Sequence, residues 1–106
     1  MTFDKDVIIG KSIKKSDKII EKLKGKELVP GYVLVCLNEK RTGLELYPSL
    51  IFFQKRMLDK DLHVVGIFKG RKEAFEFLRV LSEKAVAAFS ECDLLKALPL
   101  YKEANR

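Results

Sequence analysis

Several residue types that would point to a particular chemistry are scarce in this chain. Its 106 residues include no Trp, one His and two Cys. The cysteines, Cys36 and Cys92, form no CxxC pair, and Cys36 stands in an apolar run where a thiol behaves as a small hydrophobic side chain. Since a chain of this length can bury an adequate core, nothing in the sequence requires a disulfide.

Long apolar runs are also missing. No run approaches the ~18 residues that a bilayer span needs, and the first six residues lack the basic and apolar regions of a signal peptide. We therefore expect a soluble, cytoplasmic protein without membrane insertion. The composition, 47% hydrophobic and 34% charged, is typical of a globular chain, and the length predicts a single α/β domain over residues 1–106.

The net charge of +6 is spread unevenly along the chain. Residues 1–30 carry eight Lys against five acidic residues, whereas residues 71–106 carry seven basic against six acidic residues. The surplus leans toward the N-terminal segment but forms no long basic block. It indicates a mild preference for anionic partners rather than the dense basic surface of a dedicated nucleic-acid binder.

Two segments have the periodicity of amphipathic helices. The first runs from Ser12 to Lys24, with Ser12 as the N-cap and Gly25 as the C-terminal stop. The second runs from Arg71 to about Phe89 and has a wide apolar face. The polar face of the first helix carries a row of lysines at spacings of four, three and four, namely Lys11, Lys15, Lys18 and Lys22.

Two continuous apolar runs, Tyr32–Leu37 and Leu62–Phe68, predict buried strands, and residues 6–10 and 44–47 are shorter candidates. If both short strands form, the order β-α-β-β-α-β with an extra C-terminal helix is typical of ferredoxin-like domains. If neither forms, the remainder is a β-α-β-α layer preceded by an N-terminal helix. Both alternatives are α+β folds in which helices pack on a small sheet.

Two further helices complete these arrangements. Pro48 suits the first turn of one of them, and its inner face would consist of Leu50, Phe53, Met57 and Leu58. The other is a last turn or short helix within Leu94–Tyr101, which is expected to end at Pro99.

The junction between the second buried strand and the long helix has the composition of an anion site. Its members are Lys69, Gly70, Arg71 and Lys72. Free backbone N–H groups at a helix start and three cations would suit a small anionic ligand. The simpler interpretation is a tight glycine turn with solvated cations, which is the ordinary composition of such a corner.

The lysine row of the first helix could hold a polyanion such as a phosphate backbone. Nucleic-acid binders usually add aromatic rings for stacking, or Arg, Asn and Gln for reading bases. This helix has neither, and Asp17 and Glu21 interrupt its flank. A solvated helix face is therefore the favoured interpretation of the row.

No catalytic centre, metal site or cofactor site is evident. His63, the only histidine, has no Cys or acidic residue at metal-ligand spacing, and Cys36 in a buried strand would remain an inert thiol. Paired carboxylates and a G-x-S-x-G elbow are absent from the sequence. Catalysis would require unseen tertiary neighbours around His63, Cys36 or Asp61.

The long helix suggests a partner surface, because it carries Phe75, Phe77 and Phe89 around its circumference and a small sheet cannot cover all three. A two-fold homodimer is the commonest way to cover such a face. We therefore expect a non-enzymatic interaction or regulatory domain that self-associates and holds a small anion at Lys69–Lys72. The alternative is weak, sequence-independent nucleic-acid binding through the Lys11–Lys22 row.

Overall fold

The structure is a computed structural model that describes residues 2–25, 27, 29–50 and 62–104. Within these ranges the chain forms four strands and three helices. The strands are β1 (Thr2–Ile9), β2 (Tyr32–Leu37), β3 (Leu44–Pro48) and β4 (His63–Lys69). The helices are α1 (Ser16–Lys24), α2 (Arg71–Phe89) and α3 (Leu94–Ala104).

The four strands make one mixed sheet in the order β1-β4-β2-β3. β1 runs parallel to β4, and β2 runs antiparallel to both β4 and β3. A mixed sheet with packed helices confirms the α+β class. Both short candidate strands form, so the β-α-β-α alternative does not describe this sheet. The more specific ferredoxin-like arrangement is not confirmed, because β1 and β2, on either side of α1, run in opposite directions.

Three predicted helix boundaries differ from the observed ones. The first helix begins at Ser16, not Ser12, because Gly10 still donates its N–H to the carbonyl of Ile67 and so prolongs the β1 pairing. Pro99 lies inside α3 and does not end it. Packing of Ala97, Leu98 and Tyr101 on the α2 side of the sheet outweighs the backbone hydrogen bond that a proline removes.

Pro48 is the third of these cases, since it is the last residue of β3 and a 3₁₀ turn begins after it, at Ser49 and Leu50. A proline is tolerated there because β3 is an edge strand, whose outer N–H groups have no strand partner. The remainder of the predicted helix, with Phe53, Met57 and Leu58, lies outside the described residues, and Leu50 is the last residue described before it.

Each face of the sheet carries its own hydrophobic cluster. The cluster under α1 contains Ile19, Leu23, Val29, Leu34, Cys36, Leu62, Val64 and Ile67. The cluster under α2 and α3 includes Val33, Val35, Val65, Phe68, Ala74, Phe77, Leu81, Ala85, Ala97 and Leu98. The sheet is therefore covered by α1 on one face and by α2 and α3 on the other, and each helix is held by its buried apolar stripe.

A bulge in β4 shapes the α2 side. Val35 pairs with Gly66 and Cys36 with Val64, which leaves Val65 as an extra residue in β4. A Cβ at position 66 would lie 2.8 Å from Cε2 of Phe68, so glycine leaves room for that ring.

Candidate anion-binding groove

A groove of about 470 Å³ opens where α1 passes the end of the sheet. Tyr32, the first residue of β2, pairs with Lys69, the last residue of β4. The α1 helix packs on the same face of the sheet, so its exposed lysines come next to this strand pair. The cations that line the groove are Lys14, Lys15, Lys18, Lys22 and Lys69.

The described lining of the groove has charge of one sign only. Five lysines line it, and its other described lining residues, Ser12, Ile13, Ile19 and Tyr32, are uncharged. None of the five ammonium groups forms a salt bridge with a carboxylate in the described part of the chain. Asp17 and Glu21, which interrupt the row in the sequence, are not among the residues that line the groove. Five like charges that lack counter-charges attract an anion and repel one another in its absence.

The row is longer than a single anionic group. Lys15 and Lys22 are seven residues apart, which corresponds to about 10 Å along a helix axis. Lys69 then extends the cationic lining from α1 to the end of β4. The arrangement therefore suits an extended anion better than an isolated phosphate or carboxylate.

Sequence reasoning missed two residues of the groove, Lys14 and Tyr32. Tyr32 is half-buried and packs against the cluster under α1 while also lining the groove. An aromatic ring beside the lysines was the feature that the isolated helix lacked. No local signal connects Tyr32 with α1, because only the packing of α1 on the sheet brings them together.

Only one of the three cations of the predicted turn site lines the groove. Lys69 lines the groove, whereas Arg71 and Lys72 are exposed at the start of α2 and do not line it. Gly70 has a φ of +83°, and a Cβ there would meet no atom within 4 Å, so its backbone conformation alone explains the glycine. Of the predicted lysine row, Lys15, Lys18 and Lys22 line the groove and Lys11 does not.

Lys11 lies instead at a larger cavity of about 690 Å³ on the α2 side of the sheet. Glu73 and Lys84 also line this cavity. One carboxylate oxygen of Glu73, Oε1, is buried without a hydrogen-bond partner in the described structure and faces the backbone of Gly10. Gly10 is thus a position where the backbone must approach a carboxylate closely.

The three phenylalanines of the predicted partner surface separate into two groups. Phe75 is 55% exposed and Phe89 is 40% exposed. Phe77 is only 3% exposed, with its ring centroid 4.8 Å from that of Phe68 and 4.9 Å from that of Tyr101. Phe77 is therefore a core residue and is not available to a partner. Val86, which is 53% exposed, lies on the same side of α2 as the exposed pair Phe75 and Phe89.

His63 has the tertiary neighbours that the sequence could not show. Its Nδ1 lies 2.8 Å from Oγ1 of Thr2, and its Nε2 lies 3.5 Å from Oδ1 of Asp4. Lys102 donates a hydrogen bond to the same Asp4 carboxylate. Burial by itself would raise the pKa of Asp4, but Lys102 and then His63 outweigh it, and the pKa is lowered. The cluster ties α3 to β1 and β4.

The two cysteines differ in exposure. Cys36 is fully buried, and burial together with the charge of Glu45 raises the pKa of its thiol to about 12. It therefore remains a thiol at neutral pH and is a poor nucleophile. Cys92 is exposed. Asp61 lies outside the described residues.

Within the described ranges, no three His, Cys, Asp or Glu residues converge as metal ligands. The same part of the chain contains no helix that is both long and apolar enough to cross a bilayer. No protein-family model matches this chain, and no curated protein or solved structure shows significant similarity to it. The groove geometry is therefore the basis for the functional proposal.

Proposed function

We propose that this domain binds nucleic acid through the lysine groove, without sequence preference and without a catalytic step, in the cytoplasm. The observation that carries the proposal is the convergence of five lysines and Tyr32 on one groove whose described lining has no carboxylate. This is the alternative drawn from the sequence. It is supported over the small-anion site because Lys69 lines the same groove as Lys15, Lys18 and Lys22, whereas Arg71 and Lys72 do not line it.

The dimensions of the row fit a phosphate backbone. A strand carries one phosphate per ~3.4 Å of helix axis, so a row of about 10 Å can meet about three successive phosphates. Lysine binds phosphate as a point charge. The described lining of the groove includes no Arg, Asn or Gln, the side chains that most often read base edges. Binding without sequence preference follows from that lining.

The test is fluorescence anisotropy with a labelled oligonucleotide at several salt concentrations. If the groove neutralises about three phosphates, the logarithm of the binding constant should fall with the logarithm of the salt concentration with a slope of about −2 to −3. The double variant Lys15→Glu, Lys18→Glu should show no measurable binding. Unchanged binding by this double variant would exclude the groove as the binding site.

A charge-matched pair of single variants controls for net charge. Lys18→Glu alters the groove, whereas Lys40→Glu makes the same charge change in the loop after β2, at the opposite end of the strand that Tyr32 begins. We expect Lys18→Glu to weaken binding about tenfold or more, and Lys40→Glu to have only a small effect. Equal weakening by both would show that net charge, and not the groove, attracts the oligonucleotide.

We further propose self-association through the outer face of α2. Phe75, Val86 and Phe89 are each at least 40% exposed and fall within an arc of about 60° on the helix. Sedimentation velocity over a range of protein concentrations should then show a homodimer. Phe75→Ser together with Phe89→Ser should yield a monomer, and a wild-type protein that is monomeric throughout would contradict the proposal.

A further inference from the structure

We infer that the groove selects single-stranded over double-stranded nucleic acid and that one base stacks on Tyr32. This inference rests on the proposed function and adds the form of the ligand. The starting observation is that Tyr32 lines the same groove as the lysines, so a strand held by its phosphates places its bases beside an aromatic residue. Base–aromatic stacking is tolerant of sequence because every base has a π-face.

Tyr32 is held in place before any ligand arrives. Its backbone N–H donates to Oγ of Ser49 over 3.3 Å, and that hydroxyl donates in turn to the carbonyl of Val29. Ser49 is 1% exposed, so this connection is shielded from water. On its other side Tyr32 pairs with Lys69 in the sheet. A half-buried ring on a fixed backbone loses little conformational freedom on binding, which favours stacking.

The uncharged lining suits a base better than a further phosphate. Ile13 and Ile19 contribute apolar side chains, and Ser12 contributes a hydroxyl group. Tyr32 is the one aromatic side chain among the described lining residues, so we expect a single stacked base. Bases in a duplex are already paired and stacked, and their faces cannot reach this ring. A duplex is therefore left with the phosphate contacts alone.

The experiment compares three proteins with three ligands. The proteins are the wild type, Tyr32→Leu and Tyr32→Phe, each checked for folding by circular dichroism. The ligands are a ten-nucleotide thymidine strand, the same strand with abasic sites throughout, and a ten-base-pair duplex. All titrations are made at one salt concentration and repeated at a second.

We expect the wild type to bind the thymidine strand more tightly than the abasic strand. Tyr32→Leu should weaken binding of the thymidine strand by roughly 5- to 100-fold, the size of one base–aromatic stack. It should leave duplex binding and the salt dependence unchanged, because no charge is altered. Tyr32→Phe should behave as the wild type does, because it keeps the ring and loses only the hydroxyl group.

The possible failures are distinguishable. Equal wild-type affinity for the thymidine and abasic strands would overturn the inference while leaving the lysine groove as a nucleic-acid site. This comparison needs no variant, so it remains decisive even if Tyr32→Leu does not fold. Absence of salt-dependent binding to every oligonucleotide would overturn the proposed function itself. Binding to an acidic peptide or an anionic vesicle in place of all oligonucleotides would contradict both.

Discussion

Tyr32 and Lys69 stand opposite each other across the hydrogen-bonded pair of strands β2 and β4. Through this pairing an aromatic ring and a cation from distant parts of the chain line one groove with the lysines of α1. The pairing depends on β4 lying at the centre of the sheet, between β1 and β2. The candidate site is thus a consequence of strand order.

Replacement of Gly10 should destabilise the fold through a clash with Glu73. A Cβ at position 10 would overlap Oε1 of Glu73 and would lie 3.1 Å from Cδ1 of Phe68. We expect Gly10→Ala to lower the free energy of unfolding by about 1 kcal/mol in urea denaturation, because the carboxylate at the end of the Glu73 side chain must move aside. Gly25→Ala is the matched control, since the nearest atoms to its Cβ are 3.6 Å away.

A double variant that combines Gly10→Ala with Glu73→Ala tests whether Glu73 causes the loss of stability. This second substitution removes a buried carboxylate oxygen that lacks a partner in the described structure, so alone it should cost little. In the Gly10→Ala background it should restore most of the lost stability. Additive effects of the two substitutions would show that the clash lies elsewhere.

Truncation should lower the free energy of unfolding far more at Phe77 than at Phe75, although the two residues are close in the sequence of α2. Phe77 is packed between Phe68 and Tyr101, so Phe77→Ala should lower the free energy of unfolding by about 3–5 kcal/mol. Phe75 is 55% exposed in the single chain, so Phe75→Ala should change the free energy of unfolding by no more than about 0.5 kcal/mol at protein concentrations low enough to keep the chain monomeric. If Phe77→Ala fails to fold, Phe77→Leu gives a smaller loss that urea denaturation can measure. Similar losses at both positions would contradict this division of α2.

The contacts of Asp4 with His63 and Lys102 should make the stability of the fold depend on pH in the acidic range. The pKa of Asp4 is lowered in the folded protein from its ordinary value of 3.8, so the charged carboxylate contributes stability above pH 3.8. That contribution is lost as the pH falls through the lowered pKa. We expect Asp4→Asn to be less stable than the wild type by about 1 kcal/mol at pH 7, and the difference to disappear in strong acid.

The measurement is urea denaturation of both proteins at pH 7 and at several pH values below 4. Glu91→Gln serves as the control, because the Glu91–Lys96 pair is more than half exposed and should contribute almost nothing. A difference between wild type and Asp4→Asn that persists unchanged at the lowest pH would exclude the ionised Asp4 as its cause.

The two thiols should react at very different rates. An aromatic disulfide reagent at pH 8 should modify one thiol per folded chain, since Cys92 is exposed and Cys36 is buried with a pKa near 12. The second thiol should react only when denaturant is added. Cys92→Ser should abolish the fast reaction and leave the slow one. Rapid reaction of both thiols in the folded protein would contradict the burial of Cys36.

Periodicity was a good guide wherever local preference and tertiary packing agree. The long helix was predicted from Arg71 to about Phe89 and the first buried strand from Tyr32 to Leu37, and both are observed. It was wrong about the start of α1 and about Pro99 in α3. In those places a strand pairing through Gly10 and the packing of Leu98 outweigh the cap and breaker signals.

The sequence by itself determined the α+β class, the amphipathic lysine helix and the surplus of positive charge, because these follow from local spacing and composition. Only the tertiary structure decided which lysines act together. It joined Lys69 to Lys15, Lys18 and Lys22, and placed Tyr32 among them. The physical reason is that sheet order and the packing of α1 on one face of the sheet are set by contacts between distant residues, which no local pattern in the sequence encodes.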